Sequence, residues 1–267
     1  MWSLRCLLTS TVMSVGSLRF PGIAALVVSV VVAGCGLGTT TVAGSSITAS
    51  ASPAPSPSAT MSSTAPPSTA PKPPAALTVQ TAPCENGPGL RLSTQADYVY
   101  VKGNICPDVG GEFIQYMSTL GQAYRVVRLN SSGGAGIEAV KIGQYLRDHL
   151  ITTWVDAEVD QCASACNRVF AGGAQRIYSN ADDIRTGKNP QNHFGLGFHH
   201  PNHHGDFQAA DPFYRSVIAP YLQRMLPPAA YDWVFQTDES NLTYDMTWLN
   251  GRQALQLGIA TSSAPPS

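Results

Sequence analysis

The composition of the chain changes sharply near Cys84, and this change decides how much of it can fold. Residues 35–83 consist mainly of Ser, Thr, Ala and Pro, with Lys72 as the single charged residue. Such a segment offers too little apolar surface to offset the entropy of ordering it, so we expect a disordered tether. The remaining segment, residues 84–260, is long enough to form one hydrophobic core and too short to form two domains of typical size. We therefore predict one globular domain over 84–260 and an unstructured tail at 261–267.

The first 34 residues have the features of a bacterial export signal. Arg19 precedes the apolar run Ile23–Val32, which is too short to span a bilayer as a helix. The tetrad Val32-Ala33-Gly34-Cys35 resembles the lipobox of bacterial lipoproteins, which implies cleavage before Cys35 and attachment of lipid, such as palmitate, to its sulfur. The alternatives are an ordinary cleaved signal or an uncleaved anchor, and Met13 is an alternative start. We expect an exported protein that is lipid-anchored on the extracytoplasmic face of the cell membrane.

The charge of the chain argues against nucleic acid as a partner. Lys and Arg number 16 against 17 Asp and Glu, which gives a formal net charge of −1. The basic residues form no cluster, whereas binding to a phosphate backbone needs concentrated positive charge. We therefore expect no nucleic-acid partner. We also expect the domain to contact the membrane through the lipid anchor only.

Four cysteines belong to the predicted domain: Cys84, Cys106, Cys162 and Cys166. An exported domain should oxidise them, and three pairings are possible. Proximity in sequence favours Cys84 with Cys106 and Cys162 with Cys166. Residues four apart on a regular helix seldom place their sulfurs well, so the second bridge requires Cys162 to lie before the helix begins. The spacings lack the paired C-x-x-C pattern of a zinc site.

Alternating and helical patterns of apolar residues indicate an α/β domain. An alternation of strands and crossover helices predicts a mainly parallel sheet or stacked β-β-α units, with functional residues where strands end and helices begin. The predicted strands lie at 98–102, 124–129, 152–159, 176–179 and 194–199. The predicted helices lie at 111–123, 137–150, 164–171 and 212–225.

Three short motifs together point towards a hydrolase. Ser164 lies within Cys-Ala-Ser-Ala-Cys, at the predicted start of a helix, where amide groups and the helix dipole stabilise an oxyanion. Ala165 is the natural first amide donor, and Gly133 or Gly134 of the upstream Leu-Asn-Ser-Ser-Gly-Gly segment could supply a second. His199 follows a predicted strand and could act as the base that a serine hydroxyl needs. The alternative reading of Ser164 is a helix cap between two cysteines, and that of the glycines is a plain turn.

These motifs, in this order, resemble the ClpP family, and most closely exported bacterial ClpP-like proteins with a Cys-x-Ser-Ala-Cys version of the serine motif. The resemblance implies the ClpP/crotonase superhelix of β-β-α units and Ser-His-Asp hydrolysis of peptide bonds. It makes Ser164 the nucleophile and His199 the base. The acid should precede a final helix-then-Gly-Ile element at 248–260, which makes Asp245 the first candidate and Asp238 the next. Family members often assemble into rings, which would make a homo-oligomer.

Two other classes of function remain open from the sequence. Five of the six histidines lie between His193 and His204, and His199 with His203 and His200 with His204 have the spacing of metal ligands. Pro201 and nearby residues indicate a loop, where that spacing loses its meaning, so a solvated polar loop is the simpler interpretation for the last three. The other class is a ClpP-fold scaffold without catalysis, because 35 residues separate Ser164 from His199 and the acid is out of register. We expect a serine peptidase or hydrolase acting on peptide or acyl substrates without ATP, and no cofactor.

Overall fold

The computed structural model describes residues 76–85, 87–189 and 191–266. The predicted export signal, Cys35 and most of the predicted tether lie outside the described residues. None of the described helices is long and apolar enough to cross a membrane.

Ten strands and seven α-helices make up the described part of the chain. The strands are β1 (Thr78–Gln80), β2 (Arg91–Thr94), β3 (Val99–Ile105), β4 (Val126–Gly134), β5 (Thr152–Asp156), β6 (Gln161–Ala163), β7 (Arg176–Ser179), β8 (Gly187–Lys188), β9 (Gly195–Phe198) and β10 (Thr247–Leu249). The helices are α1 (Val109–Leu120), α2 (Gly136–Asp148), α3 (Ala165–Gly172), α4 (Phe207–Phe213), α5 (Ala219–Met225), α6 (Pro228–Ser240) and α7 (Gly251–Leu257), and a π-helical turn at Tyr214–Ile218 joins α4 to α5.

The strands form one mixed sheet that branches at β4. The first half of β4 pairs in parallel with β5, which pairs in parallel with β7. Further along β4, Ser131 pairs in parallel with Cys162 of β6, and β6 pairs in parallel with β9. The carboxyl ends of β4, β6 and β9 therefore lie side by side, which is where an α/β sheet gathers its functional residues. The α/β class predicted from the sequence is confirmed.

Helices α2 and α3 pack against each other, α3 also packs against β4, and both helices contribute side chains to the core. Helix α2 turns Ala139, Ile142 and Leu146 inward, at the spacing of one helical face, and all three are buried. Helix α3 is buried along its whole length. The backbones of the two helices touch, because a Cβ added to Gly172 would lie 2.3 Å from Gly143 Cα.

The folded part extends beyond both predicted boundaries. Strand β1 lies within the predicted tether and pairs antiparallel with β2, so the domain begins before Cys84. At the other end, Thr261 N donates to Arg176 O at 2.8 Å, and Ser262 forms a parallel bridge with Ile177 of β7. Strand β1 and residues 261–262 each pair with a strand at the edge of the sheet, where backbone groups would otherwise lack hydrogen-bond partners. Composition alone does not reveal such pairing.

In place of the single helix predicted over 212–225, the structure has helix α4, the π-helical turn and helix α5 in succession, and α4 begins before residue 212. Helix α4 begins after Asp206, whose Oδ1 accepts a hydrogen bond from Ala209 N at 2.9 Å, as an N-cap does. Pro212 lies inside α4, and the π-helical turn follows immediately. A proline lacks the N–H that a regular helix needs, which accounts for an interruption at this point.

Candidate active site

Ser164 lies in a strained turn between β6 and α3. Its backbone has φ 55° and ψ −125°, a combination that a residue with a side chain adopts only when the surroundings hold it there. Its amide donates to Gly197 O of β9 at 3.0 Å. The hydroxyl makes no capping hydrogen bond to α3, so the alternative reading of Ser164 as a helix cap does not hold.

His199 follows β9, and its side chain meets Ser164. The distance between His199 Nε2 and Ser164 Oγ is 2.7 Å, and that between His199 Nδ1 and Thr243 O is 3.0 Å. Because a carbonyl oxygen only accepts hydrogen bonds, Nδ1 carries the proton in the neutral ring. Nε2 then presents a lone pair and accepts the Ser164 hydroxyl. The sequence motifs thus converge on a hydrogen-bonded Ser-His pair.

Burial keeps the His199 ring neutral. The side chain is 4% exposed, and desolvation lowers its pKa below the ordinary value of 6.5. The hydrogen bond to Thr243 O opposes this shift, while the positive charge of Arg168 lowers the pKa further. His199 is therefore in its basic form at neutral pH, as proton abstraction requires.

The two candidate glycines face different neighbours. A Cβ added to Gly133, whose φ is +105°, would lie 2.7 Å from Ser164 Cβ and 2.9 Å from Ala165 N. One added to Gly134 would instead lie 2.2 Å from Ile105 O in β3. Gly133 thus leaves room beside the amide of Ala165, which as the first helical residue has no acceptor within α3. The amide of Gly133 itself donates to Ser131 Oγ at 3.1 Å, so Ala165 is the better placed donor.

Two disulfides form with the pairing that sequence proximity favours. Cys84 bonds to Cys106, and Cys162 bonds to Cys166. The condition on the second bridge is met, because Cys162 lies in β6 and α3 begins only at Ala165. This bridge closes directly around the Ser164 turn.

Neither predicted acid contacts His199. Asp245 is exposed, and its backbone carbonyl accepts from Asn241 Nδ2 at 2.8 Å. The partner of His199 Nδ1 is instead the backbone carbonyl of Thr243, two residues earlier in the same loop. Every residue carries a main-chain carbonyl, so the residue types in the sequence give no signal for this acceptor.

Asp238 belongs to a separate buried network. Its Oδ2 accepts from Arg168 Nη2 at 2.5 Å and from Tyr214 Oη at 3.2 Å. Burial raises the pKa of Asp238 to about 6, although Arg168 and Tyr214 favour the ionised form. Arg168 also contacts Asn167 Oδ1, and Asn167 Nδ2 donates to Gly197 O at 2.7 Å, so the network supports the strand that carries His199. The sequence offered no indication of Arg168 or Asn167.

The histidine-rich segment is a loop, but one of its histidines is not solvated. His203 and His204 are exposed, as predicted for a polar loop. His200 is buried, contrary to that prediction, because its ring packs at 4.6 Å between centroids against Tyr214 of the π-helical turn. His199 is hydrogen-bonded to Ser164, and neither His199 nor His203 belongs to a group of three potential metal ligands among the described residues.

Comparison with known proteins gives structural likenesses at low identity. No protein family model and no curated protein matches the sequence. The fold is similar to a mutant of ClpP1 from Listeria monocytogenes, with 16% identity and a TM-score of 0.42 over 62% of this chain and 90% of that one. It is similar to the ClpP protease catalytic domain from Plasmodium falciparum, with 14% identity and a TM-score of 0.42 over 63% and 84%. It is similar to a mutant of the 1510-N membrane-bound stomatin-specific protease, with 15% identity and a TM-score of 0.41 over 62% and 77%.

Proposed function

We propose that this chain is an ATP-independent serine hydrolase of the ClpP-like class that cleaves peptides or other acyl substrates. The observation that supports the proposal is the 2.7 Å contact between Ser164 Oγ and the neutral Nε2 of His199. A serine hydroxyl is a weak nucleophile until an adjacent base takes its proton. The motifs that resemble the ClpP family suggest a peptide bond as the substrate.

The reaction follows from the positions of these groups. Ser164 Oγ attacks the substrate carbonyl while its proton passes to His199 Nε2, and the Thr243 carbonyl holds Nδ1–H of the resulting imidazolium. The carbonyl oxygen becomes an oxyanion, which the Ala165 amide stabilises. Collapse of this intermediate breaks the bond to the leaving group, which takes the proton from His199, and leaves an acyl-serine. Water, deprotonated by His199, then releases the acid and restores Ser164.

A second function has one observation in its favour. His199 is oriented by a neutral carbonyl rather than by a carboxylate, and a carbonyl stabilises the imidazolium less than a negative charge does. A catalytically inactive binding or scaffold protein of the same fold is therefore the rival.

Labelling of the full chain with a fluorophosphonate probe separates the two functions. We expect Ser164→Ala to abolish labelling and His199→Ala to slow it at least about 100-fold, the range of general base catalysis. Ser132→Ala is a matched control, because Ser132 lies exposed in the glycine segment and bonds to Asn104 Oδ1. It should label as the wild type does. A folded wild type that does not label would favour the scaffold.

We also propose that the protein is exported and tethered to the membrane through lipid on Cys35. The support is the lipobox-like tetrad in the sequence. Metabolic labelling with palmitate should mark the wild-type chain in cells and should not mark Cys35→Ser. Palmitate on both chains would contradict this assignment.

A further inference from the structure

A second cluster of chemically active side chains is built around His200, the residue that follows His199 in the chain. His200 Nε2 is 3.6 Å from Asp211 Oδ1 of α4 and 3.8 Å from Glu239 Oε1 of α6. The three atoms all lie within 4.8 Å of one another. The His200 side chain is only 2% exposed, while the two carboxylates reach the surface. The cluster shares no residue with the Ser164–His199 pair, and its two carboxylates give it access to solvent.

The hydrogen bonds of His200 leave a lone pair directed into this cluster. His200 Nδ1 is 2.8 Å from Pro201 O, and since a carbonyl only accepts, Nδ1 carries the proton of the neutral ring. Nε2 then presents its lone pair to two carboxylates, which is repulsive unless a cation lies between them. A backbone carbonyl on the remote nitrogen is also the usual arrangement that orients a metal-binding histidine.

The carboxylates are held in place by Arg215. Its Nε bonds to Asp211 Oδ2 at 2.9 Å, and its Nη2 bonds to Glu239 Oε2 at 2.6 Å. The other oxygen of each carboxylate is thereby turned towards His200. Glu239 Oε1 is buried and has no hydrogen-bond partner among the described residues. The carboxylates of Asp211 and Glu239 thus share the single guanidinium of Arg215, and their remaining oxygens both face His200 Nε2.

A proton on His200 Nε2 would make only long hydrogen bonds to the two carboxylates. A charged N–H···O⁻ hydrogen bond spans about 2.7–2.9 Å, and both separations here are longer. Two donors bound to one metal ion at about 2.0–2.2 Å lie roughly 3–4 Å apart, which matches these separations. The gap between the three atoms is thus the size of an ion rather than of a hydrogen bond.

We propose that His200, Asp211 and Glu239 bind a divalent transition-metal ion such as Zn²⁺ or Mn²⁺. One imidazole and two carboxylates suit these ions, whereas Mg²⁺ and Ca²⁺ prefer a set of oxygen ligands only. Water would complete the coordination on the open side. The ion would join the segment after β9 to α4 and α6, and so fix the residue next to His199.

Calorimetric titration of the metal-stripped full chain with Zn²⁺ and with Mn²⁺ tests the site. We expect one equivalent to bind to the wild type with a rise in the thermal unfolding midpoint. Glu239→Gln and Asp211→Asn, each close in shape to the native residue, should weaken binding at least about tenfold. The control is His203→Ala/His204→Ala, which removes two exposed histidines and should bind as the wild type does.

Either of two results would overturn the site. One is a wild type that binds neither ion, which would leave a proton as the cation of the cluster. The other is binding that survives in both carboxylate variants or disappears in the double-histidine control, which would locate the ion elsewhere. The unfolding midpoints of the stripped variants show whether they fold, and Asp211→Asn, at a side chain 38% exposed, tests the site if Glu239→Gln does not fold.

Discussion

Replacing Gly133 by alanine should block the candidate oxyanion site while leaving the Ser-His pair chemically intact. The added methyl group would lie 2.7 Å from both Ala163 O and Ser164 Cβ, and 2.9 Å from Ala165 N. These atoms belong to the main chain or lie next to it, so no flexible side chain can move aside. The methyl group would occupy the space in which a substrate oxygen accepts the Ala165 amide.

The substitution should lower both the labelling rate and the stability of the fold, and the two effects are measured separately. Loss of one oxyanion donor lowers a catalytic rate about 100- to 1,000-fold. The backbone of Gly133, at φ +105°, lies in a region where a residue with a Cβ costs about 1–3 kcal/mol of stability. We therefore expect fluorophosphonate labelling of Gly133→Ala to slow about 100-fold or more, with a loss of about 2 kcal/mol in the free energy of unfolding.

The assay compares labelling rates per folded molecule, with unfolding followed in urea. Gly134→Ala is the matched control, because its φ of +134° carries the same backbone strain and its Cβ meets Ile105 O rather than Ser164. It should lose stability without a selective loss of labelling. Gly111→Ala, at an exposed helical position of α1 with open space around it, should leave labelling unchanged and raise the free energy of unfolding by about 0.5–1 kcal/mol.

Either of two results would refute this reasoning. If folded Gly133→Ala labels at the wild-type rate, the Ala165 amide is not the oxyanion donor. If Gly134→Ala slows labelling as much as Gly133→Ala does, the effect belongs to the strand rather than to the contact with Ser164.

Three further expectations concern the same site. Asp245→Ala should label at the wild-type rate, since this exposed carboxylate does not contact His199, and a large loss would restore it as the acid. Labelling followed from about pH 4 to pH 8 should fall as the pH drops through the lowered pKa of His199, because only the neutral ring accepts a proton. A midpoint above 6.5 would contradict burial as the cause. Removing the Cys162–Cys166 bridge, with its sequence separation of 4, should cost about 2 kcal/mol in chemical denaturation. An unchanged unfolding midpoint would contradict this, and slower labelling would show that the bridge also holds the Ser164 turn.

The sequence predicted those elements whose information is local. The strand at 176–179 was predicted with its bounds, and α2 and α3 to within two residues, because alternation or helical spacing of apolar residues is strong there. Ser164 and His199, which the motifs suggest as partners, lie 2.7 Å apart between Oγ and Nε2. Both follow strands, and parallel strands bring their carboxyl ends to one edge of the sheet.

The elements that were missed depend on contacts far along the chain. Strand β10 and helix α6 were not predicted, and β10 exists as the antiparallel partner of β9. The orienting group of His199 is a carbonyl of Thr243, 44 residues away, and any residue could supply it. The cluster at His200 likewise combines residues from the segment after β9, from α4 and from α6, so no residue spacing within one segment predicts it.

The backbone contact between Gly143 and Gly172 has a consequence for how the chain tolerates substitution. A Cβ at Gly172 would lie 2.3 Å from Gly143 Cα of α2, and one at Gly143 would lie 1.9 Å from Tyr221 Oη and 3.0 Å from Arg168 O of α3. A side chain at either position would therefore displace α3, and with it the turn at Ser164 that begins α3. Neither glycine touches a substrate. In a saturation screen scored by labelling, substitutions at both positions should nevertheless reduce labelling as substitutions of catalytic residues do. The reason is that the distance between the two helices determines the position of the Ser164 hydroxyl.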